Sequence, residues 1–165
     1  MAPMTTSQSA KVTLPTDEQI LITREFDAPR HLVWQAWTTP ELVKRWWTAR
    51  RGEATVLEID LRVGGKWRYV MVTPDGFEVG FHGEYREIVP HERIVSTEAY
   101  EGIPDPDEHA SQNTLTLTET DGRTTLTLLV QHASKADRDA QIASGMESGL
   151  QDALDLLEEI AVSLR

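Results

Sequence analysis

The sequence predicts an α+β domain in which a strongly bent antiparallel sheet wraps a long carboxy-terminal helix, with two short helices after the first strand. Three observations carry this reading. Apolar residues alternate with polar ones through six successive segments between residues 54 and 132, joined mostly by short links rich in turn residues. The period then becomes helical from Ser134 almost to Arg165. A shorter helical stretch, interrupted at Thr39-Pro40, follows the first strand-like run.

Taken in order, residues 1–16 are small, polar and aperiodic and read as a flexible tail, leaving residues 17–165 as one domain. QILITREF, residues 19–26, is rich in branched side chains and reads as a strand. Asp27 is the expected cap of a first short helix, which carries Val33, Ala36 and Trp37 on one face. Pro40 suits the first position of a second helix, whose apolar side holds Leu42, Val43 and Trp46. ATVLEIDL, KWRYVMVT, FEVGFHGEYREI, ERIVSTEAY, NTLTLTET and RTTLTLLVQH follow as strands. The links Gly64-Gly65, Pro74-Asp75-Gly76, Pro90-His91 and Asp121-Gly122 are too short for a crossover, so these strands form an antiparallel meander. Residues 101–111 form a longer acidic loop. Ser134 and Asp137 then open a helix whose apolar stripe runs through Ile142, Met146, Gly149, Leu150, Ala153, Leu157, Ile160 and Leu164. Its length of about 29 residues, at about 1.5 Å each, gives a rod of roughly 43 Å that needs a long apolar trough. The curved sheet face supplies one.

Composition narrows the function. The 165 residues carry 16 basic and 27 acidic side chains, a net charge of −11, which argues against nucleic acid and anionic membrane as partners. No run approaches the length of a membrane span, and the opening residues lack the apolar core of a secretory leader, so a cytoplasmic location is expected. The absence of cysteine excludes disulfides, thiolate catalysis and cysteine-ligated metal. No phosphate loop, dinucleotide fingerprint, nucleophile elbow or HExxH motif is present, so no catalytic residue, cofactor or metal site is assigned.

FDAPRHLVWQAWTTPELVKRWW, RVGGKWRYVM, GFHGEYREIVPHERIV and SGMESGLQDALDLL together resemble the START-like, helix-grip superfamily (SRPBCC), specifically the group related to the activator of heat-shock-protein-ninety ATPase. The similarity runs from about Gln19 to about Leu164. It implies the helix-grip fold and a cavity between the long helix and the sheet, where members hold lipids, hormones or polyketides and a minority catalyse cyclisation or hydrolysis. Two features depart from the pattern. Gly149-Leu150 stands where relatives often carry Gly-Trp, and the single-domain reading lacks the amino-terminal domain of the eukaryotic co-chaperone. Contact with the chaperone is therefore a less favoured expectation.

The candidate ligand site follows from parity. Trp67, Tyr69 and Met71 share one face of their strand, and Val79, Phe81, Gly83 and Tyr85 share one face of the next. Facing inward, they would line the trough opposite Met146, Gly149, Leu150 and Ala153. Gly145 and Gly149 each cost about 1 kcal/mol within a helix, which close packing or room for a ligand would offset. Of the adjacent pair Trp46 and Trp47, one is expected at the pocket mouth or surface. His82, Glu84 and Arg86 alternate on the opposite strand face, so an inward aromatic face leaves them a solvated charge set. Residues 44–68 hold seven basic against three acidic side chains, read as a solvated edge that the chain's own acidic loop neutralises. The preferred function is binding of a small, largely hydrophobic molecule. The alternatives are a cyclase, aromatase or hydrolase using the same cavity, or a co-chaperone-like interaction module. Self-pairing into a homodimer stays open.

Overall fold

Short turns decide the topology, because a strand that reverses within a few residues can only pair with its predecessor. The computed structural model describes residues 9–165. Its strands are β1 (Lys11–Thr13), β2 (Gln19–Phe26), β3 (Glu53–Ile59), β4 (Lys66–Val72), β5 (Glu78–Val89), β6 (Arg93–Tyr100), β7 (Ser111–Thr120) and β8 (Arg123–Gln131). They form one curved antiparallel sheet in the order β1-β2-β8-β7-β6-β5-β4-β3. The six expected meander strands are β3 to β8, and β2 joins their far end by pairing with β8.

The helices are α1 (Arg30–Thr38), α2 (Pro40–Trp46), α3 (Lys135–Ala143) and α4 (Met146–Ser163). Pro40 stands at the start of α2, as its fixed φ favours. Asp27 does not cap α1: Pro29 occupies that position without a side-chain cap bond. The Asp27 carboxylate instead faces Arg123 at 3.4 Å and Arg165 at 3.9 Å.

Two further expectations need correction. The amino-terminal tail holds a strand, β1, whose residues pair with Leu21–Thr23 of β2. Just before it, the Gln151 side chain both accepts from the Ala10 amide at 2.9 Å and donates to its carbonyl at 2.8 Å, binding the segment to α4. Residues 1–8 of the expected tail lie outside the described residues. The carboxy-terminal helix is not one rod. It breaks between Ser144 and Met146, where Gly145 takes a left-handed φ of 80°. α4 is then about 27 Å long rather than 43 Å. Ser134 does cap α3, its Oγ accepting from the Asp137 amide at 3.1 Å.

The two helix glycines therefore do different work. Gly145 adopts a conformation that a side chain penalises, so Gly145→Ala should destabilise by about 1 kcal/mol. At Gly149 an added Cβ would meet only the Arg51 guanidinium, at 3.9 Å. Gly149→Ala should stabilise by about 0.5–1 kcal/mol through helix propensity. Thermal melts of the two variants should thus shift in opposite directions.

The inner face of the sheet carries Ile20, Ile22 and Phe26 of β2, Leu126 and Val130 of β8, and Leu115 and Leu117 of β7 in one buried cluster. Leu154, Leu157, Ile160 and Ala161 of α4 pack into that cluster. Arg24 interrupts it. Its fully buried guanidinium donates to Asp155 at 2.8 Å and to Glu158 at 2.9 Å, clamping the last turns of α4 to β2.

Candidate functional site

Register fixes which side chains look inward at the other end of the sheet. β4 pairs with β5 as Trp67↔Gly83, Tyr69↔Phe81 and Met71↔Val79, so these six share a face. Trp67 belongs to the buried core cluster, and Tyr69 and Phe81 pack against it, which makes that face the inner one. Tyr85 is buried on the same face. β6 continues the face with Ile94, Ser96, Glu98 and Tyr100, and β7 with Ser111, Asn113 and Leu115.

The glycine at 83 is explained by its neighbours. A Cβ there would lie 1.8 Å from the Thr97 carbonyl oxygen and 2.6 Å from Trp67 Nε1. The Trp67 indole occupies that room and donates to the Thr97 carbonyl at 3.1 Å. Gly83 is thus a seat for Trp67 and adds no ligand space of its own.

Coverage thins toward the amino-terminal half of α4. Tyr69, Met71, Val79 and Phe81 are only half-buried, as are Met146, Gly149 and Leu150 opposite, whereas Ala153, Leu154, Leu157 and Ile160 farther along α4 lie in the core. Trp47 leans over the strands here. Its ring meets Tyr69 edge-on at 5.3 Å and Phe81 edge-on at 6.1 Å, while Tyr69 lies 4.8 Å from Trp67 and Phe81 lies 5.3 Å from Tyr100. Its neighbour Trp46 turns the other way, 5% exposed, with its indole donating to the Ala36 carbonyl at 2.9 Å. Of the pair, Trp47 is the residue at the open end.

Glu98 escaped the sequence reading, although parity with Ile94 marks it as inward. Its register places it opposite Gly83 on one side and Ser111 on the other. One carboxylate oxygen accepts from the Asn113 amide at 2.7 Å, and Asn113 in turn accepts from the Ser111 hydroxyl at 3.0 Å. The other oxygen has no hydrogen-bond partner among the described residues. Burial raises the Glu98 pKa against the Asn113 bond, and burial likewise pushes the Tyr69 and Tyr85 phenols well up.

His82 lies on the outer face, but its partners are not Glu84 and Arg86. Its ring bonds Asp107 at 2.7 Å and Glu101 at 2.8 Å, and Glu101 holds Arg68 in a bidentate pair at 2.9 and 3.0 Å. Glu84 instead faces Arg86 at 3.5 Å. This chain fastens the acidic loop to the sheet, and His109 ties the same loop to Asp137 of α3 at 3.0 Å. Of the acidic loop, Glu101 reaches the basic segment through Arg68, whereas Arg51 is held by Asp152, Arg62 by Asp60 and Lys44 by Glu41, so most of the neutralising carboxylates come from outside the loop.

The Asp107 bond first, with Glu101, raises the His82 pKa above its ordinary 6.5. A raised histidine adds stability that is complete below pH 6.5 and fades as pH climbs through the folded value. NMR titration should therefore find the His82 midpoint above 6.5, with the Asp105–His109 amides moving in step. In His82→Gln the loop shifts should lose that dependence. A wild-type midpoint at or below 6.5 with stationary loop amides would count against the latch.

Two open surface concavities lie away from the helix–sheet interface. One of about 370 Å³ sits between Arg30, Glu92, Arg93 and Thr116–Glu119. Another of about 350 Å³ lies beside Arg86, Asp107, Gln112, Gln131 and His132. His132 bonds Gln141 through Nε2 at 2.5 Å, while its Nδ1 is buried without a partner among the described residues. No described helix is long and apolar enough to cross a membrane.

Comparison with known proteins agrees with this architecture. The family model described as Activator of Hsp90 ATPase homolog 1-like protein matches residues 27–161. A crystal structure of a Rhodobacter sphaeroides protein is 27% identical, covers 94% of this chain and 99% of its own, and superposes with a TM-score of 0.84. Protein Ms6760 from Mycobacterium smegmatis is also 27% identical, with coverage of 92% and 96% and a TM-score of 0.82. A solution structure from Arthrobacter aurescens, 24% identical over 93% and 91%, shares the fold with a TM-score of 0.82. No curated protein matches the sequence.

Proposed function

The chain belongs to the family of Activator of Hsp90 ATPase homolog 1-like proteins, within the START-like fold, and from that premise we propose that it binds a small, largely apolar molecule between α4 and the sheet. The observation that carries this reading is the half-buried ring set of Trp47, Tyr69 and Phe81 facing a helix turn that bears Gly149. A filled core would cover such rings, since each aromatic side chain withdrawn from water contributes on the order of 2 kcal/mol. Met146 and Leu150 are the side chains that yield on entry, the thioether because its unbranched stem adapts to irregular gaps. Trp67, Met71, Val79 and Tyr85 form the sheet-side wall, and Ala153 marks the deep end, where the core closes.

Leu150→Trp puts a bulky ring into this end. It should weaken a neutral hydrophobic probe such as N-phenyl-1-naphthylamine by about tenfold or more, equivalent to about 1.4 kcal/mol. Unaltered affinity in a folded Leu150→Trp variant would refute the site.

Glu98 favours a second reading, an enzyme of cyclase, aromatase or hydrolase type, because such chemistry needs an inward titratable group. Burial raises the pKa of Glu98, against the lowering effect of its Asn113 bond, and raises that of the neighbouring Tyr69 well above its ordinary value. Neither group is hydrogen-bonded to a second titratable side chain among the described residues, as a proton-transfer relay would need, so the pair suits holding a ligand better than proton abstraction.

A further inference from the structure

Resting on the apolar-binding reading, we propose that the ligand carries an organic cation, an amine or a quaternary ammonium, seated against Glu98 and the faces of the surrounding rings. Two independent features point there. Glu98 is the one acidic side chain on the inner face of β4, β5 and β6, and it leaves a carboxylate oxygen without a partner among the described residues. That oxygen is not sealed from solvent, so it can meet a counter-ion entering at the open end, and the attraction strengthens as the ligand excludes water. The second feature is the arrangement of rings. Trp47 stands edge-on to both Tyr69 and Phe81, so its plane crosses theirs and ring faces of two orientations meet at the same open end. Aromatic faces attract cations through their quadrupoles, most strongly when water is excluded.

The surroundings reinforce the sign. Arg51, the basic residue nearest Gly149, is already taken by Asp152 at 3.0 Å and by the Ser148 hydroxyl at 3.1 Å. The chain as a whole carries −11, a field that draws cations and repels anions. An anionic head group would meet the Glu98 carboxyl with nothing opposite to balance it.

A matched probe series tests this on the full-length protein. 1-Naphthylmethylamine is a cation at neutral pH, 1-naphthylmethanol is its neutral counterpart, and 1-naphthoate supplies the opposite charge. The wild type should bind the amine about tenfold or more tighter than the alcohol, with the acid weakest. In Glu98→Gln, whose amide oxygen can still accept from Asn113, the amine-to-alcohol ratio should fall to about one. Glu84→Gln, which removes a carboxylate from the outer face of β5, should leave the ratio as in the wild type. Alcohol bound as tightly as amine, or a preference surviving in Glu98→Gln, would overturn the cation while the apolar site stands. Failure of all three probes to bind would overturn both.

Discussion

Arg24→Ala is expected to destabilise the protein by about 3–5 kcal/mol, because it leaves carboxylates assembled around a missing charge. The side chain is wholly buried on the inner face of β2, bonded to Asp155 and Glu158, with its guanidinium 5.1 Å from the Phe26 ring. Glu158 is the exposed partner's opposite: only 18% of its side chain reaches solvent, and its second oxygen already accepts from the Asp27 amide. Asp155, about half exposed, can rehydrate. The cost therefore falls mainly on Glu158 and on the volume that Arg24 vacates. Replacing both partners, as Arg24→Met with Glu158→Leu, should recover much of the loss, since an apolar pair needs no desolvated charge. Urea melts of the two variants check this. Equal stability of Arg24→Ala and wild type would show that the clamp contributes nothing.

Gly83→Ala should destabilise at the upper end of, or beyond, the ~1–3 kcal/mol usual for over-packing. Its Cβ would overlap the Thr97 carbonyl oxygen, a backbone atom that cannot swing aside, and would press on Trp67 Nε1. Either β5 and β6 part or the indole leaves its seat. Loss of the indole bond to Thr97 should move the Trp67 side-chain resonance, giving the variant a signature beyond lowered stability. A Gly83→Ala protein with the wild-type melting temperature would mean that Gly83 is not holding that space.

These positions also mark how far the sequence could be read. The meander was legible because the sheet buries mainly one face, so burial wrote a period of two into β3 to β8, and short turns at all but the β6–β7 link favoured a single pairing order. The inward aromatic parity of Trp67, Tyr69, Phe81 and Tyr85 followed from the same alternation. The break at Gly145 was hidden because the apolar stripe continues through Ile142 and Met146, while one glycine within a helix costs only about 1 kcal/mol. Arg24 and Glu98 were visible as polar residues at inward positions, but their partners come from α4 and β7, and alternation within one strand says nothing of contacts across others. His82 illustrates the same limit. Its neighbours along the strand, Glu84 and Arg86, looked like its partners, yet the ring reaches Glu101 and an irregular loop that carries no period.

The most direct test of ligand binding between α4 and the sheet is a titration of ¹⁵N-labelled protein with N-phenyl-1-naphthylamine, followed through the tryptophan indoles and backbone amides. Saturable shifts are expected at the Trp47 indole and at the amides of Tyr69, Phe81, Glu98 and Leu150. The Trp34 indole, whose ring packs edge-on against His91, should stay in place. Shifts confined to the concavity beside Gln112, Gln131 and His132, or no saturable shift at all, would contradict it.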